Sequence, residues 1–460
     1  MIPERLKPIL EEVRPLAEVF EAAGHRTYLV GGIVRDLVLG RLRDGYDLDI
    51  TTDARPDETL ALLEGWADTT WTAGQAFGTI GARRRGMTFE VTTHRAEAYR
   101  SDSRKPQVVY ADDVELDLSR RDFTINAMAL RLPEPELIDP YGGVADLAAG
   151  RLRTPLSPEE SFSDDPLRML RAARFIAAYG LTPEPELVAA VVGMRERLEI
   201  VSVERVRDEL SKLLLVDDPS AGLWFLADTG LADEFLPELR AMRLEQDPIH
   251  RHKDVLGHTI AVVAKTQPTL VVRLAALLHD VGKPKTRTIG PKGVSFHHHE
   301  VVGARMARER MRALRFSNDL TEAVGRLVFL HLRFHGYRDD VWTDAAVRRY
   351  ARDAGDLLDE LNELTRCDCT TRNERKARML AARMDALDAR VAELREREEL
   401  ESIRPDIDGN RVMDVLGVRP GRIVGEALGM LLEARLDEGP LGEAEAERRV
   451  KEWYAARQAG

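Results

Sequence analysis

Cysteine is almost absent from this chain of 460 residues: Cys367 and Cys369 are the only two, with one residue between them. That spacing suits neither a disulfide framework nor the usual zinc knuckle, and both thiols are expected to be buried. Long apolar runs are missing too. The most apolar helical stretch, Leu270 to Leu278, is broken by Arg273, and the N-terminus from Met1 to Arg14 is charged and proline-bearing, so neither a membrane span nor a secretory leader is expected. A soluble, cytoplasmic protein is the expectation. Positive charge is in deficit, with a formal net charge of −12, which argues against indiscriminate coating of nucleic acid but leaves room for a local basic groove. Candidates for such a groove are Arg83-Arg84-Arg85, Arg120-Arg121 and the series Arg168, Arg171, Arg174, although for any one arginine a solvated surface role is the default. Internal repeats and low-complexity linkers are also lacking.

What the chain has instead is a change of texture near residue 150. Before it, short β-branched runs (Tyr28–Val30, Leu48–Thr51, Thr79–Ala82, Thr88–Thr93) alternate with helical stretches, the pattern of an α/β head. After Pro155 and Pro158 the periodicity is helical, over Pro166 to Tyr179 and again over Glu204 to Leu215. The stretch Arg372 to Glu401 is so densely charged that it reads as a solvated helix. The length calls for several domains: a head over 1–150, a helical neck over 151–238, a histidine-rich domain over 239–380 and a helical tail over 381–460.

The chemistry concentrates where the strand Thr27 to Val30 meets Gly31-Gly32 and Arg35-Asp36, followed by Asp47-Leu48-Asp49. Side chains two apart on a strand share a face, so Asp47 and Asp49 converge while Leu48 turns into the core. Converging carboxylates hold divalent metal. The glycine pair allows a tight turn, and the helix from Ile33 to Leu39 would aim its free amides at a phosphate. A two-metal phosphoryl-transfer site needs a third acid, and Glu90 within Met87–Thr93 is the best-placed candidate. Asp165 and Arg168 lie three apart, and on a helix starting at Pro166 they are neighbours in its first turn. A carboxylate beside a guanidinium satisfies the amino-and-ring-nitrogen edge of cytosine or adenine. Guanine and uracil place carbonyls there and would leave buried polar groups unpaired.

In order along the chain, Leu29-Val30-Gly31-Gly32-Ile33-Val34-Arg35-Asp36, Asp47-Leu48-Asp49, Arg120-Arg121-Asp122-Phe123-Thr124-Ile125-Asn126-Ala127, Asp139-Pro140-Tyr141-Gly142-Gly143, Asp164-Asp165-Pro166-Leu167-Arg168 and Ser202-Val203-Glu204-Arg205 resemble the motifs of the class II tRNA nucleotidyltransferase and poly(A) polymerase family. The resemblance implies an α+β protein: a small mixed-sheet, DNA polymerase beta-like head, followed by an all-helical neck, an HD domain and a tail. It implies CCA addition to tRNA from CTP and ATP with Mg²⁺, and no DNA or membrane partner. Asp47, Asp49 and Glu90 would be catalytic, and Gly31, Gly32, Arg35, Arg121, Asp122, Asn126, Asp165, Arg168, Arg171 and Arg174 would bind the nucleotide. Poly(A) synthesis and C-only or A-only addition share the same head motifs. Asp164 stands where the family usually has Glu and is left out of the base-reading pair. The segment Tyr99 to Val109 resembles the family's mobile loop near the active site.

Most histidines fall between His250 and His335. His258, His279-Asp280 and Asp368 stand in the order H…HD…D, with His299 and His331 between the last two, and imidazoles suit transition metals. This set resembles the HD phosphohydrolase domain, which implies one or two divalent transition metal ions; His299 and His331 resemble the extra ligands of its two-metal members, where the aspartate bridges both ions. In His297-His298-His299 only His299 is taken as a ligand; His297, His298, His252 and His335 are assigned to the surface or to supporting positions. A phosphohydrolase whose HD half does the main work is the alternative of another class.

Overall fold

The computed structural model describes residues 7–41, 46–98, 107–244, 254–290, 293–336, 343–369, 374–398 and 403–459. The chain divides into two compact units, Met1–Pro237 and Glu238–Gly460.

The first unit opens with helix Lys7–Ala22 and nine strands: β1 Thr27–Val30, β2 Leu48–Thr52, β3 Thr69–Trp71, β4 Thr79–Arg84, β5 Met87–Thr93, β6 Arg95–Ala98, β7 Gln107–Tyr110, β8 Ala129–Leu132 and β9 Glu136–Ile138. Seven of them form one sheet in the order β3-β4-β5-β2-β1-β8-β9, while β6 and β7 pair separately. Only β2 and β5 run parallel within that sheet; its other pairings are antiparallel. One face buries Leu29, Leu48, Ile50, Ile80, Phe89 and Val91 against helices Lys7–Ala22, Gly32–Leu39 and Pro56–Glu64. Alternation then turns Asp49 and Glu90 to the opposite face, where both are exposed. Tyr28 and Val30 share that face, but helix Val114–Ser119 covers them with Val114 and Leu118.

Beyond the sheet come helices Pro158–Asp164, Leu167–Tyr179, Pro185–Met194, Val203–Leu214 and Ser220–Thr229. Ser157 and Glu160 cap the first of these reciprocally. Helix Ser220–Thr229 packs so closely on Leu167–Tyr179 that a Cβ on Gly222 would lie 2.4 Å from the Ala173 carbonyl oxygen. A short parallel pair, β10 Arg151–Leu152 with β11 Thr182–Pro183, ties the two halves of the unit together.

In the second unit, helices Val255–Lys265, Leu270–Leu278, His299–Ala313, Asn318–Leu330 and Leu358–Asp368 surround the histidine cluster. Arg273, which interrupts the apolar run in sequence, is fully buried, and its guanidinium donates to the carbonyls of Thr266 and Gln267 just past the end of helix Val255–Lys265. That satisfies acceptors a helix terminus otherwise leaves open. A hairpin, β12 Arg287–Gly290 with β13 Gly293–Phe296, is inserted among the helices. Helix Glu374–Glu398 is not the solvated helix its charge density predicts: Leu380, Met384, Leu387, Val391 and Leu394 form a buried stripe at spacings of four and three. Helices Gly409–Leu416, Arg422–Glu438 and Glu443–Ala459 enclose a small core of their own around Val412, Leu431 and Val450. Cys367 and Cys369 are half-buried rather than buried, one on each side of Asp368, the last residue of helix Leu358–Asp368. No helix among the described residues is long and apolar enough to cross a membrane.

Candidate active site and candidate metal centre

The parallel pairing of β2 with β5 is what assembles the head site. Its register sets Asp49 directly beside Glu90, so two carboxylates separated in sequence stand one strand spacing apart on the open face. Asp47 immediately precedes β2, is exposed, and lies close enough to repel Asp49. Crowding by protein raises Asp49 to about 6, with Glu90 and Asp47 adding to the rise and the Arg121 guanidinium opposing it. Acids that repel one another in this way are suited to sharing a cation.

A cavity of about 450 Å³ opens over this pair, lined by Asp49, Glu90, Thr79, Thr92, five arginines (Arg95, Arg120, Arg121, Arg168, Arg171), Asp122 and Asp165. Two of the arginines are aimed by one buried acid. Asp117, on helix Val114–Ser119, accepts from Arg120 at 3.0 Å and from Arg121 at 3.2 Å, and from the backbone amide of Arg95 at 3.3 Å. Burial disfavours its charge, yet Arg120 and Arg121 hold it down at about 2. The Nε of Arg121 is buried and without a partner among the described residues, a donor left for an anion. Gly31 is required where β1 ends: its φ is +77°, and a Cβ there would stand 3.0 Å from a guanidinium nitrogen of Arg121.

The neck supplies the remaining wall. Asp165 accepts from the amide of Leu167 at 3.1 Å and from Arg205 at 2.7 Å. Arg168 donates to Ser161 Oγ at 2.9 Å and to the carbonyl of Arg120 at 2.5 Å. Each side chain is thus anchored by groups of its own, Asp165 by Leu167 and Arg205, and Arg168 by Ser161 and Arg120. Asp122 accepts from Arg171 at 2.8 and 2.5 Å and from Asn126 at 2.9 Å; Arg171 and Asn126 keep it near 2 despite its burial.

Three expected nucleotide contacts stand behind the cavity wall. Arg35 is buried, donates to Asn126 at 2.7 Å and to Asp36 at 2.9 Å, and lies over the Tyr179 ring at 4.4 Å. Asn126 joins Arg35 to Asp122, and Arg174 is taken up by buried Glu209 at 2.7 Å. Gly31 and Gly32 shape the turn beneath. The loop expected over Tyr99 to Val109 lies outside the described residues, apart from the β7 backbone.

In the second unit the six residues His258, His279, Asp280, His299, His331 and Asp368 of the sequence pattern meet. His258 Nε2 is 2.8 Å from Asp368 and 3.6 Å from Asp280; His279 Nε2 is 3.2 Å from Asp280, 3.6 Å from Asp368 and 3.3 Å from His258 Nε2. On the other side, His299 Nε2 is 3.5 Å from Asp280, and His331 packs between His279 and His299 with ring centroids 5.3 Å from each. Two groups able to hold a metal thus share Asp280: His258 with His279, and His299 with His331. The Nδ1 atoms of His279, His299 and His331 each face the carbonyl three residues earlier at 2.8, 2.8 and 2.6 Å. Those bonds fix the rings with Nε2 turned inward, as ligand imidazoles require. The buried Nε2 of His299 has no hydrogen-bond partner among the described residues. Burial works against charge on His279, but Asp280 and Asp368 outweigh it and raise it to about 10, while burial and that same charge drive His331 down to about 3. Such a cluster needs positive charge at its centre. The residues fit divalent ions. His297 and His298 are exposed; His250 and His252, and the side chain of His335, lie outside the described residues.

The sequence reading assigns no role to Asp117, Ser161, Glu209 and Lys283, and names Arg205 only as part of a motif. Spacing held the signal for two of them. Asp117 precedes Arg120 and Arg121 by one helical turn, and Lys283 follows Asp280 by three residues and reaches it at 2.7 Å.

Comparison with known proteins accords with this geometry. Residues 27–153 match the family model for the poly A polymerase head domain, 180–242 the probable RNA and SrmB-binding site of polymerase A, and 255–390 the HD domain. A CCA-adding enzyme of Levilactobacillus brevis is 41% identical over 229 residues, 50% of this chain and 56% of that one. The chain spans about half the length of the CCA-adding relatives it matches. An A-adding tRNA nucleotidyltransferase of Deinococcus radiodurans is 34% identical over 444 residues, covering 92% of this chain and 95% of its own. Among solved structures, the Bacillus stearothermophilus CCA-adding enzyme in complex with CTP superposes with a TM-score of 0.72 over 100% of both chains at 24% identity, which speaks to fold. On the strength of the match that runs nearly end to end, the chain belongs to the tRNA nucleotidyltransferase and poly(A) polymerase family and carries an HD domain.

Proposed function

We propose that this protein adds CCA to the 3′ end of tRNA from CTP and ATP without a nucleic-acid template, acting in the cytoplasm. The observation that carries the reading is the single cavity in which the Asp49–Glu90 pair, anion-binding arginines and the Asp165/Arg168 pair all open. Asp47, Asp49 and Glu90 would hold divalent cations, Mg²⁺ in this reading, which when bound activate the attacking hydroxyl and grip the triphosphate. Arg121, with its unpartnered Nε, and Arg171 offer the charge that receives phosphates, and Asp117 keeps Arg120 and Arg121 pointed at them. Asp165 accepts from the exocyclic amino group of cytosine or adenine while Arg168 donates to the ring nitrogen beside it. Guanine or uracil would set a carbonyl against the Asp165 carboxylate, at the cost of unpaired buried groups. In the transfer, the RNA 3′-oxygen bonds to the α-phosphorus, the bond to the bridging oxygen breaks, and pyrophosphate leaves.

A second reading, A addition alone, is favoured by the Deinococcus relative, which aligns over nearly the whole chain. The HD centre supports a separate phosphohydrolase activity on RNA ends, for which Asp280, the flanking histidines and Asp368 would hold transition metal ions that activate water.

The deciding measurement is sequencing of products from tRNAs lacking the last three, two or one nucleotides, incubated with Mg²⁺ and CTP, ATP or both. Addition of C, C and A followed by arrest is the expected result. A added only to ends already carrying CC would establish the second reading, and no addition to any end would refute both.

A further inference from the structure

A row of four residues crosses the open face of the head sheet. Asp49 on β2 pairs with Glu90 on β5, Glu90 with Gly81 on β4, and Gly81 with Trp71 on β3. Paired residues share a face, so all four point the same way. Gly81 leaves its place in the row empty, and the indole of Trp71 fills it: a Cβ on Gly81 would fall 2.0 Å from the ring. The ring therefore lies where the cross-strand neighbour of Glu90 belongs, about 5 Å away by the spacing of opposed residues. Trp71 is nonetheless 38% exposed. On the same face, Arg83 is two residues from Gly81 and exposed.

We infer that Trp71, laid over Gly81, is the stacking platform for the terminal base of the RNA being extended, with Arg83 near its phosphate. The inference rests on the transferase reading above. Groups that would grip the incoming nucleotide (Gly31, Arg121, Asp165, Arg168) lie toward β1 and the neck. In nucleotidyl transfer the attacking and departing oxygens are roughly in line, so the RNA 3′-oxygen must come from the other side of the carboxylates, where β5, β4 and β3 lie. The terminal base is not the same at every step: the base that precedes CCA stands there for the first addition, and C for the second and third. An aromatic face accepts every base, whereas hydrogen-bond readout would not.

The test uses the full-length protein and a tRNA lacking its last three nucleotides, with binding read without nucleotide and extension read with CTP. Trp71→Ala is expected to weaken RNA binding roughly fivefold or more, the range of one base–aromatic stack, and to leave the KM for CTP unchanged; Trp71→Phe should recover most of the loss. RNA should quench indole fluorescence in the wild type and not in Trp71→Phe. Unaltered RNA affinity in Trp71→Ala, equal quenching in Trp71→Phe, or a rise in the KM for CTP matching that for RNA would each overturn the platform. Because binding is read without turnover, a protein that shows the Trp71 signal but extends nothing contradicts the transferase reading alone. Normal extension with an indifferent Trp71 contradicts the platform alone.

Discussion

At the scale of single residues, Asp117 does the most with the least. One buried carboxylate orients two guanidiniums and a backbone amide, and its folded-state pKa of about 2 lies below the ordinary value near 4. A depressed carboxyl contributes stability that is complete above about pH 4 and is lost as pH falls through about 2, at most about 2.5 kcal/mol for a shift of this size. Asp117→Asn should therefore flatten the acid limb of stability between about pH 4 and 2, followed by circular dichroism, and lower the melting temperature at pH 7. Gly31 acts through geometry alone. Gly31→Ala strains a residue whose φ of +77° and ψ of −140° favour glycine, by about 1–3 kcal/mol, and pushes on Arg121, so the KM for nucleotide should rise several-fold in steady-state assays while the protein stays folded. Gly31 was legible in sequence from its place between strand and helix. Asp117 was overlooked because an acid in a polar helical turn looks like every solvated one; only its spacing from Arg120-Arg121 distinguishes it.

At the scale of elements, the strands bearing chemistry were readable and the neighbours that position them were not. β1, β2, β4 and β5 stand out as runs rich in β-branched residues and can be placed to within two residues. Short strands β3, β6, β7, β8 and β9 carry too few residues for a period to emerge. Nothing local could say that β5 lies parallel to β2, so Glu90 was chosen on pattern while its partnership with Asp49 depends on a long-range register. Helix Glu374–Glu398 misled in the other direction: abundant charge hid a regular apolar stripe. Leu387, fully buried in that stripe, should cost about 2–5 kcal/mol when replaced by Ala, measurable by urea denaturation of the purified protein. Helix Val203–Leu214 reaches the nucleotide side through Arg205, which holds Asp165 at 2.7 Å. Arg205→Ala should free that carboxylate and raise incorporation of UTP relative to CTP, read by sequencing of extended ends, with a smaller effect than Asp165→Ala.

At the scale of the whole molecule, the two candidate chemistries fall in different compact units. Perturbations at sites with no shared partners are close to additive, so each should fail alone. His279→Ala/Asp280→Ala should lose bound transition metal by elemental analysis and keep nucleotide addition; Asp47→Ala should abolish addition and keep that metal. Loss of both properties in either variant would refute the separation. The order in which the head site is gathered has a further consequence during synthesis. A ribosome releasing this chain exposes Asp47 and Asp49 first, then Glu90, then Arg120 and Arg121, and last the helix carrying Arg168 and Arg171. A half-made chain thus displays the carboxylates before Arg120, Arg121, Arg168 and Arg171 have emerged, and the cavity that joins them is incomplete until the neck has been made.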